Sequence, residues 1–236
     1  MAALRGEFGT RRRENPTEPG PAVLLPGSRA PVDLDNRGLG TRPGRSNEVA
    51  RRTQRSRIID AFAREIGLCG FEGTHVSTVC AAACVSTKDF YKHFESKKLC
   101  FCAAFDEGAT IVVDKAIAAF RTTSGPWVDR LGLALRTVLE ILAENPSFAR
   151  LSVVESYHVV PIGREHVDAM VHRCRQAFGD HHFAAPPGVE HSDYERFLVA
   201  SVIGPMSDYI VGGRTDRLPE LEPLLTYALT LTDDPA

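Results

Sequence analysis

Residues 71–106 hold two short helical patterns separated by a tight turn, and this segment constrains the fold more than any other part of the chain. Apolar side chains recur at the spacing that places them on one face of each helix: Val79, Ala82, Ala83, Phe90 and Phe94. Polar side chains fall on a different face of the second helix: Thr87, Lys88, Tyr91 and Lys92. One face therefore builds a core, and the other is available to a partner.

The second of these helices begins with its own cap. Ser86 and Asp89 stand three positions apart, the spacing of a capping box with a short acid. A short helix braced by a preceding helix is the geometry of a helix-turn-helix, which presents its second helix to the major groove of DNA. Lys88 and Lys92 add positive charge there, so the pattern predicts binding to double-stranded DNA.

Proline and glycine divide the rest of the chain into further helical patterns, and we predict an all-α fold. Residues 1–46 are rich in Pro, Gly and Arg, so we expect a disordered arm there. An apolar stripe from Ile58 to Ile66 predicts the first helix, and Ser192 is expected to cap a late one. The other predicted helices cover residues 74–83, 86–94, 96–121, 126–144, 146–157, 161–178, 192–211 and 218–231, about nine in total with the first.

Positive charge is concentrated near the start of the chain. Residues 42–57 hold six arginines and one acid. The residues after Arg57 hold 16 Lys or Arg and 24 Asp or Glu, a difference of −8, while the whole chain has a formal net charge of −2. This asymmetry favours a small DNA-binding end on a body that repels phosphate.

Several other classes of protein find little support in the sequence. No stretch approaches the roughly 18 apolar residues of a membrane span, and residues 1–20 lack the apolar run of a signal peptide, so we expect a cytoplasmic protein with no membrane partner. Enzyme motifs such as a glycine-rich phosphate loop, a nucleophile elbow or a metalloprotease histidine pair are missing. We therefore expect no enzymatic activity and no cofactor.

The six cysteines lack the spacing of a disulfide framework and are expected to be small buried hydrophobic residues in a reducing compartment. Cys80 with Cys84, and Cys100 with Cys102, leave a redox or metal role open. The sequence has no Cys-x-x-Cys pair, which favours the packing interpretation and predicts no metal site.

The first folded segment resembles the DNA-binding domain of the TetR/AcrR family of bacterial transcriptional regulators. The resemblance starts in the arginine-rich opening of the first helix and is carried by Gly70-Phe71, Thr74, Ala81 to Ala83, Val85-Ser86, Phe90-Tyr91, His93-Phe94, Ser96-Lys97 and Cys100-Phe101. The rest of the chain is similar to the family's regulatory domain in length, helical pattern and a weak match from Phe148 to Glu155.

The resemblance implies a homodimer that binds a palindromic operator, as a repressor, and leaves it when a small molecule binds. After the arm over residues 1–46, it implies a DNA-binding domain over 47–95 with its motif near 75–94, and a ligand-binding and dimerisation domain over 96–236. It also implies base-edge contacts from Thr87 and Lys88 with Lys92 nearby, and phosphate contacts from Thr74, Tyr91, His93 and Lys97. Arg51, Arg55 and Ser86 are further predicted DNA-binding residues.

The sequence departs from the family pattern at three positions. Cys84 stands at the turn where the family usually has glycine, and a non-glycine residue in left-handed geometry costs about 1–2 kcal/mol. His75 replaces a small hydroxyl cap, and Asp89 places an acid near DNA. These departures leave open a helical binding module that has lost DNA binding, and an enzyme with its chemistry in the helical body remains a further alternative.

The resemblance further implies an apolar effector pocket among the helices of residues 126–178. The candidate pocket residues are Trp127, Phe148, Tyr157, His158, Met206 and Tyr209. The helices over residues 193–211 and 218–231 carry more apolar surface than one small bundle needs, so we expect them to pair with a second copy of the chain.

Overall fold

The computed structural model describes residues 23–29, 47–157, 159, 162–179, 183 and 185–230, with the backbone alone described in 47–52 and 162–164. Regular structure in these residues is entirely helical, which confirms the all-α prediction. The described residues form nine α-helices: α1 (Asn47–Gly73), α2 (Val76–Ala83), α3 (Thr87–His93), α4 (Lys97–Thr122), α5 (Trp127–Glu144), α6 (Pro146–Ala149), α7 (Ile162–Phe178), α8 (His191–Val211) and α9 (Glu222–Thr230). We call α1–α3 the head and α4–α9 the body.

The regular α-helical geometry of α1 ends where the sequence predicts a stop. Gly70 has a φ of 71° and interrupts α1 three residues before its last residue. A Cβ at Gly70 would lie 2.8 Å from Glu155 Oε1, so both the backbone angle and the close approach require glycine. The predicted apolar stripe of α1 is fully buried at Ile58, Phe62 and Ile66.

The helix-turn-helix packs through the predicted apolar positions, with one correction. Val79, Ala83, Phe90 and Phe94 are buried, and Phe90 is completely inaccessible. Ala82 is exposed, contrary to the prediction. Successive residues of a helix are about 100° apart, so Ala82 lies outside the arc that the buried residues of α2 define.

The predicted capping box at the start of α3 is present. The Asp89 N–H donates to Ser86 Oγ at 3.0 Å, and the Ser86 hydroxyl donates to Asp89 Oδ2 at 2.7 Å. Ser192 does not cap α8, however, because the helix begins at His191 with Glu190 at the cap position. The Tyr194 N–H already donates to the Glu190 carbonyl at 3.0 Å, which places the first turn two residues earlier than predicted.

Two predicted helices of the body are irregular. Residues 146–157 form the short α6, then a π-helix (Arg150–Val154) and a 3-10 turn (Glu155–Tyr157) rather than one α-helix. The last predicted helix starts within a 3-10 segment (Thr215–Leu221) that contains Pro219, and α9 follows from Glu222. Leu231, the predicted last residue, lies outside the described residues.

The irregular segment after α6 connects the body to the head. Glu155 is 7% exposed, and its carboxylate accepts the Phe71 N–H at 3.0 Å. Arg150 Nε donates to the other carboxylate oxygen of Glu155 at 3.2 Å. The buried charge is therefore satisfied from both sides, as a carboxylate in a protein interior requires.

Residues 23–29 correct the prediction of a disordered arm, since they form an ordered turn against the protein. Leu25 is fully buried and belongs to the central apolar core. The apolar run at residues 23–25 is enough to dock this Pro- and Gly-rich segment on the protein. The average composition of residues 1–46 does not reveal so short a run. The remainder of residues 1–46 lies outside the described residues.

Candidate nucleic-acid interface and body cavity

The outer side of α3 carries the side chains that the sequence predicts at DNA. Thr87, Lys88 and Lys92 are exposed, and Tyr91 is 53% exposed. The opposite side of the same helix is anchored by the fully buried Phe90. The structure therefore brings these four predicted residues together on one exposed surface, with Ser86 exposed at its start.

The Tyr91 ring is held in place by the core. It packs against the Phe90 ring at 5.3 Å between centroids and at 85°, an edge-to-face arrangement. A phenol fixed this way loses little conformational entropy when it hydrogen-bonds to a phosphate.

An ion pair on the exposed side of α3 is a feature that the sequence analysis missed. Lys92 Nζ donates to Asp89 Oδ1 at 2.7 Å. This hydrogen bond, with the one from Ser86, lowers the pKa of the Asp89 carboxyl to about 2. Asp89 is thus negatively charged at neutral pH and offsets the charge of Lys92, and the i,i+3 spacing of the two residues was the available signal.

The flanking predicted residues are tied to the first helix. His93 Nε2 lies 3.1 Å from Gln54 Oε1, and the Arg55 guanidinium lies 5.2 Å from the centroid of the Phe94 ring. Arg51 is in α1, but its side chain lies outside the described residues. Gln54 was not predicted; its amide orients His93 at the end of α3.

Thr74 and Lys97 make hydrogen bonds inside the protein, at the junction of α1 with α4. Thr74 is 1% exposed and its hydroxyl donates to the Gly70 carbonyl at 2.7 Å, so this conformation does not present the hydroxyl to a partner, and a phosphate contact from Thr74 stays a prediction. Lys97 Nζ donates to the carbonyls of Phe71 at 2.8 Å and Thr74 at 3.1 Å, and it lies 4.2 Å from the Phe71 ring centroid. Lys97 therefore fastens the start of α4 to the end of α1, and a phosphate contact from it stays a prediction.

The turn between α2 and α3 has the geometry that the sequence predicts. Cys84 has φ 53° and ψ 49°, and among the described residues it is the one non-glycine residue with positive φ. The Val85 N–H donates to the Cys80 carbonyl at 3.0 Å, which closes the end of α2. His75 holds the first position before α2 without a side-chain cap hydrogen bond.

Four of the six cysteines lie in environments that disfavour the thiolate, and Cys69 is exposed, contrary to the prediction of buried cysteines. Burial raises the pKa of the thiols of Cys80, Cys100 and Cys102, and raises that of Cys174 to about 11. A protonated thiol is a poor metal ligand and a poor nucleophile. Within the described part of the chain, no three His, Cys, Asp or Glu side chains are grouped as a metal site would need.

The body contains an apolar cavity of about 210 Å³ lined by residues of α4, α5, α7, α8 and α9. Its wall consists almost entirely of aliphatic and aromatic side chains, among them Val113, Leu135, Met170, Phe178, Leu198 and Val202. The charged members of the wall are Arg175 and Glu195, which form an ion pair with each other. A second, more polar groove of about 530 Å³ shares Val167, Val171, Glu195 and Val199 with the cavity.

Most of the predicted pocket residues lie elsewhere. Trp127, Phe148, Met206 and Tyr209 are absent from the wall of the cavity, and Tyr157 lines the adjoining groove. Phe148 instead packs against the α4 backbone at Gly108, where a Cβ would lie 2.1 Å from its ring. His158 lies outside the described residues. Phe148 and Met206 are buried in the core, and Trp127 and Tyr209 are partly buried against it.

The last two helices expose large apolar side chains. The exposed fractions are 60% for Phe197, 72% for Val211, 54% for Leu224 and 63% for Tyr227. None of the helices in the described residues combines the length and hydropathy needed to cross a bilayer.

Comparison with protein-family models finds no match, and neither does comparison with curated protein sequences. Solved structures do match. The fatty acid degradation regulator FadR of Bacillus halodurans superposes with a TM-score of 0.63 at 15% identity, over 75% of this chain and 94% of that one. FadR of Bacillus subtilis in complex with stearoyl-CoA gives 0.61 at 15% identity, over 74% and 96%. A TetR transcriptional regulator of Chloroflexus aurantiacus gives 0.54 at 23% identity, over 77% and 96%.

These similarities extend through head and body alike, since they cover about three quarters of this chain and nearly all of each matched structure. They agree with the resemblance found in the sequence of the head. The chain has the fold of the TetR-family transcriptional regulators.

Proposed function

We propose that this protein is a transcriptional repressor that binds a palindromic operator as a homodimer and releases it when a small molecule occupies the body cavity. The observation that carries the proposal is the exposed surface of α3, with Thr87, Lys88 and Tyr91 presented on a helix that Phe90 anchors. The position of α3 as the second helix of a helix-turn-helix supports its entry into the major groove.

DNA binding is tested by fluorescence anisotropy with the duplex that precedes the protein's own gene. Lys88→Ala removes a base-edge or phosphate contact, so we expect its affinity to fall by about 5- to 150-fold, the range of about 1–3 kcal/mol. Lys115→Ala is the matched control, because Lys115 is an exposed lysine on α4, 18 residues after Lys97, which is about 27 Å along the helix.

Two results would contradict this part of the proposal. If the wild-type protein binds no duplex at low salt, the fold serves as a binding module without DNA recognition. If Lys88→Ala and Lys115→Ala weaken binding equally, the contact with DNA is not made by α3. Expression from a reporter that carries the bound duplex then separates repression from activation, because loss of a repressor raises expression.

The dimer is supported by the exposed apolar side chains of α8 and α9. Phe197, Val211 and Tyr227 each expose more than half of their surface, which is unfavourable for a monomer in water. A twofold dimer presents two copies of α3 related by the same symmetry as a palindromic operator.

The effector is proposed to carry an apolar chain. The wall of the cavity offers few hydrogen-bonding groups, and burying an unsatisfied polar group costs about 2–7 kcal/mol, so the buried part of the ligand has to be apolar. The adjoining groove supplies Tyr157 and Asp168 for a polar end. FadR of Bacillus subtilis, which has the same fold, is in complex with stearoyl-CoA, and this is the first compound to test.

Val199→Trp tests the effector site because Val199 lines both the cavity and the groove. We expect this variant to bind the operator like the wild type and to lose release by stearoyl-CoA. Val189→Trp is the control, since Val189 is 45% exposed and lies outside the wall. Equal release from both variants would place the effector elsewhere.

A further inference from the structure

Residues 23–29, which we call the strap, lie across the junction between the head and the body. Leu25 is fully buried in the central core, whereas Leu24 beside it is 56% exposed. Complete burial of one side chain next to a solvated one shows that the strap is docked in a defined position rather than collapsed on the surface.

The body holds the strap through a buried amide. Asn145 lies between α5 and α6, is 1% exposed, and accepts with Oδ1 both the Leu25 N–H, at 3.5 Å, and the Ser28 hydroxyl. Its Nδ2 donates to the Ile141 carbonyl at 2.8 Å. That bond orients the amide, so the acceptor oxygen faces the strap.

Gly27 lies between the head and the body, close to both. Its φ is 92°, and an added Cβ would lie 3.1 Å from Ser147 Cβ in the body and 3.2 Å from Ala63 Cβ in the head. The Gly27 N–H donates to Asp60 Oδ1 of α1 at 3.1 Å. The strap therefore fills the space between α1 and α6 and touches both.

Arg29 completes a bridge between α1 and α4. Its guanidinium lies 3.6 Å from Asp60 Oδ2 in the head and 2.6 Å from Glu107 Oε1 in the body. The Arg29 carbonyl accepts Arg64 Nη1 at 3.0 Å. One residue of the strap thus joins a carboxylate of the head to a carboxylate of the body, through an ion pair with Asp60 and a charge-assisted hydrogen bond to Glu107.

We propose that the strap locks the head in one orientation on the body and thereby sets the spacing of the two copies of α3 in the dimer. Direct contacts between the head and the body hold the end of α1: Glu155 accepts the Phe71 N–H, and Lys97 donates to the Phe71 carbonyl. Asp60 lies 11 residues from Phe71, roughly 16 Å along the helix, so the strap holds α1 at a second, distant point and restricts the tilt of the head on the body.

The inference rests on the proposed function, because spacing matters only when two heads bind one operator. With two fixed heads, the second binds at a high effective concentration after the first. Freed heads sample many spacings, so the second binding event becomes weaker while the first is unchanged. The strap therefore affects a full operator and not a single half-site.

The test compares Leu25→Asp with Leu24→Asp in the full-length protein. The two substitutions make the same change in charge at adjacent positions of the strap, and only Leu25 is docked. We expect Leu25→Asp to weaken binding to the full duplex by about tenfold and Leu24→Asp by less than about twofold, with all proteins equal on a half-site duplex. Arg29→Ala, which keeps Leu25 buried, is expected to weaken full-site binding by about threefold and covers the case in which Leu25→Asp does not fold.

Spin labels on the exposed Cys69 of each protomer report the spacing directly, with the half-buried Cys84 and Cys174 changed to Ala in every protein compared. We expect the distance distribution between the two labels to broaden in Leu25→Asp and Arg29→Ala and to stay narrow in Leu24→Asp. Unchanged widths, or equal losses on the full site and the half-site, overturn the proposal. If the wild type binds no DNA, the proposed function fails and the label distances alone decide whether the strap locks the head.

Discussion

At the residue scale, Cys84 shows strain that the sequence already indicated. Its left-handed φ of 53° places a Cβ where glycine has none. The surrounding turn enforces this geometry, because the Val85 N–H and the Cys80 carbonyl close the end of α2. The head therefore accepts a local cost in order to keep α3 at its angle to α2.

Cys84→Gly is expected to stabilise the protein by about 1 kcal/mol and to raise Tm by about 2–4 °C, because glycine relieves the left-handed strain but is more flexible in the unfolded chain. Thermal unfolding followed by circular dichroism measures the change. Cys84→Ala is the control, since alanine keeps the Cβ. A similar gain from alanine would assign the effect to the thiol and not to the backbone.

Asp89 makes the stability of the head depend on pH. The hydrogen bonds from Lys92 and Ser86 lower its pKa to about 2 in the folded protein from the ordinary value of 3.8. A carboxyl with a lowered folded-state pKa adds stability above pH 3.8, and this contribution is lost as the pH falls towards 2. Urea unfolding of wild type and Asp89→Asn from pH 6 to 2 should show two stabilities that converge over that interval; a constant difference would refute the assignment.

Asp89 also opposes DNA binding, according to the proposed function. Its negative charge lies on α3, and its Oδ1 accepts a hydrogen bond from Lys92 Nζ at 2.7 Å. Asp89→Asn is expected to raise operator affinity several-fold, because Lys92 becomes available to a phosphate. The slope of log K against log salt is expected to become steeper by about 1, the change that one additional phosphate contact produces. Binding isotherms at several salt concentrations provide the test, and an unchanged slope would mean that Lys92 does not reach the backbone.

At the element scale, the packing of α4 depends on a missing side chain. Gly108 lies in the middle of α4, and a Cβ there would meet the Phe148 ring at 2.1–2.7 Å. Phe148 is 1% exposed, so it has no solvent to move into. Glycine in a helix is unfavourable by itself, and its presence here follows from the close approach of α4 to the residues after α5.

Gly108→Ala is expected to destabilise the protein by about 1–3 kcal/mol, because the Phe148 ring has to leave its position. Gly204→Ala in α8 is the comparison, made in the monomeric Leu224→Glu, Tyr227→Glu background because Gly204 lies on the same helical face as Phe197 and Val211: a Cβ there has nothing within 4 Å in the protomer, so alanine is expected to be neutral or to stabilise by about 0.5–1 kcal/mol. Chemical denaturation of the two variants measures the change in the free energy of unfolding. Equal effects would show that Phe148 can move freely.

At the same scale, the cavity lies away from most of the residues that the sequence analysis predicted to bind an effector. Trp127 and Met206 belong to the cores between the helices, and the cavity is lined mainly by branched aliphatic residues such as Val113 and Val202. The sequence shows which side chains are large. Whether a space is left between helices depends on how their faces meet, which the spacing within one helix does not contain.

At the scale of the whole molecule, the exposed apolar residues of the last two helices predict the assembly. Leu224→Glu combined with Tyr227→Glu places two charges among side chains that are expected to contact a second protomer. We expect this variant to be a monomer by light scattering and to bind a full operator no more tightly than a half-site. Leu68→Glu is the control, since Leu68 is 78% exposed on α1. A dimer that survives the double substitution would place the interface elsewhere.

The sequence alone determined the helical fold and the helix-turn-helix. Short-range regularities carry this information: the spacing of Val79 and Ala83, the Ser86–Asp89 cap and the glycine at position 70 each act within one or two helical turns. The exposed residues of α3 follow from the same spacing, because a helix that buries Phe90 must turn Lys88 and Tyr91 outwards.

Tertiary structure alone decided the contacts between distant parts of the chain. It buried Thr74 and engaged Lys97, it seated Leu25 on Asn145 across 120 residues, and it left the cavity between α4 and α8. Each of these depends on which helical faces meet and at what distance. That information is a property of packing in three dimensions, and local patterns of residue type do not specify it.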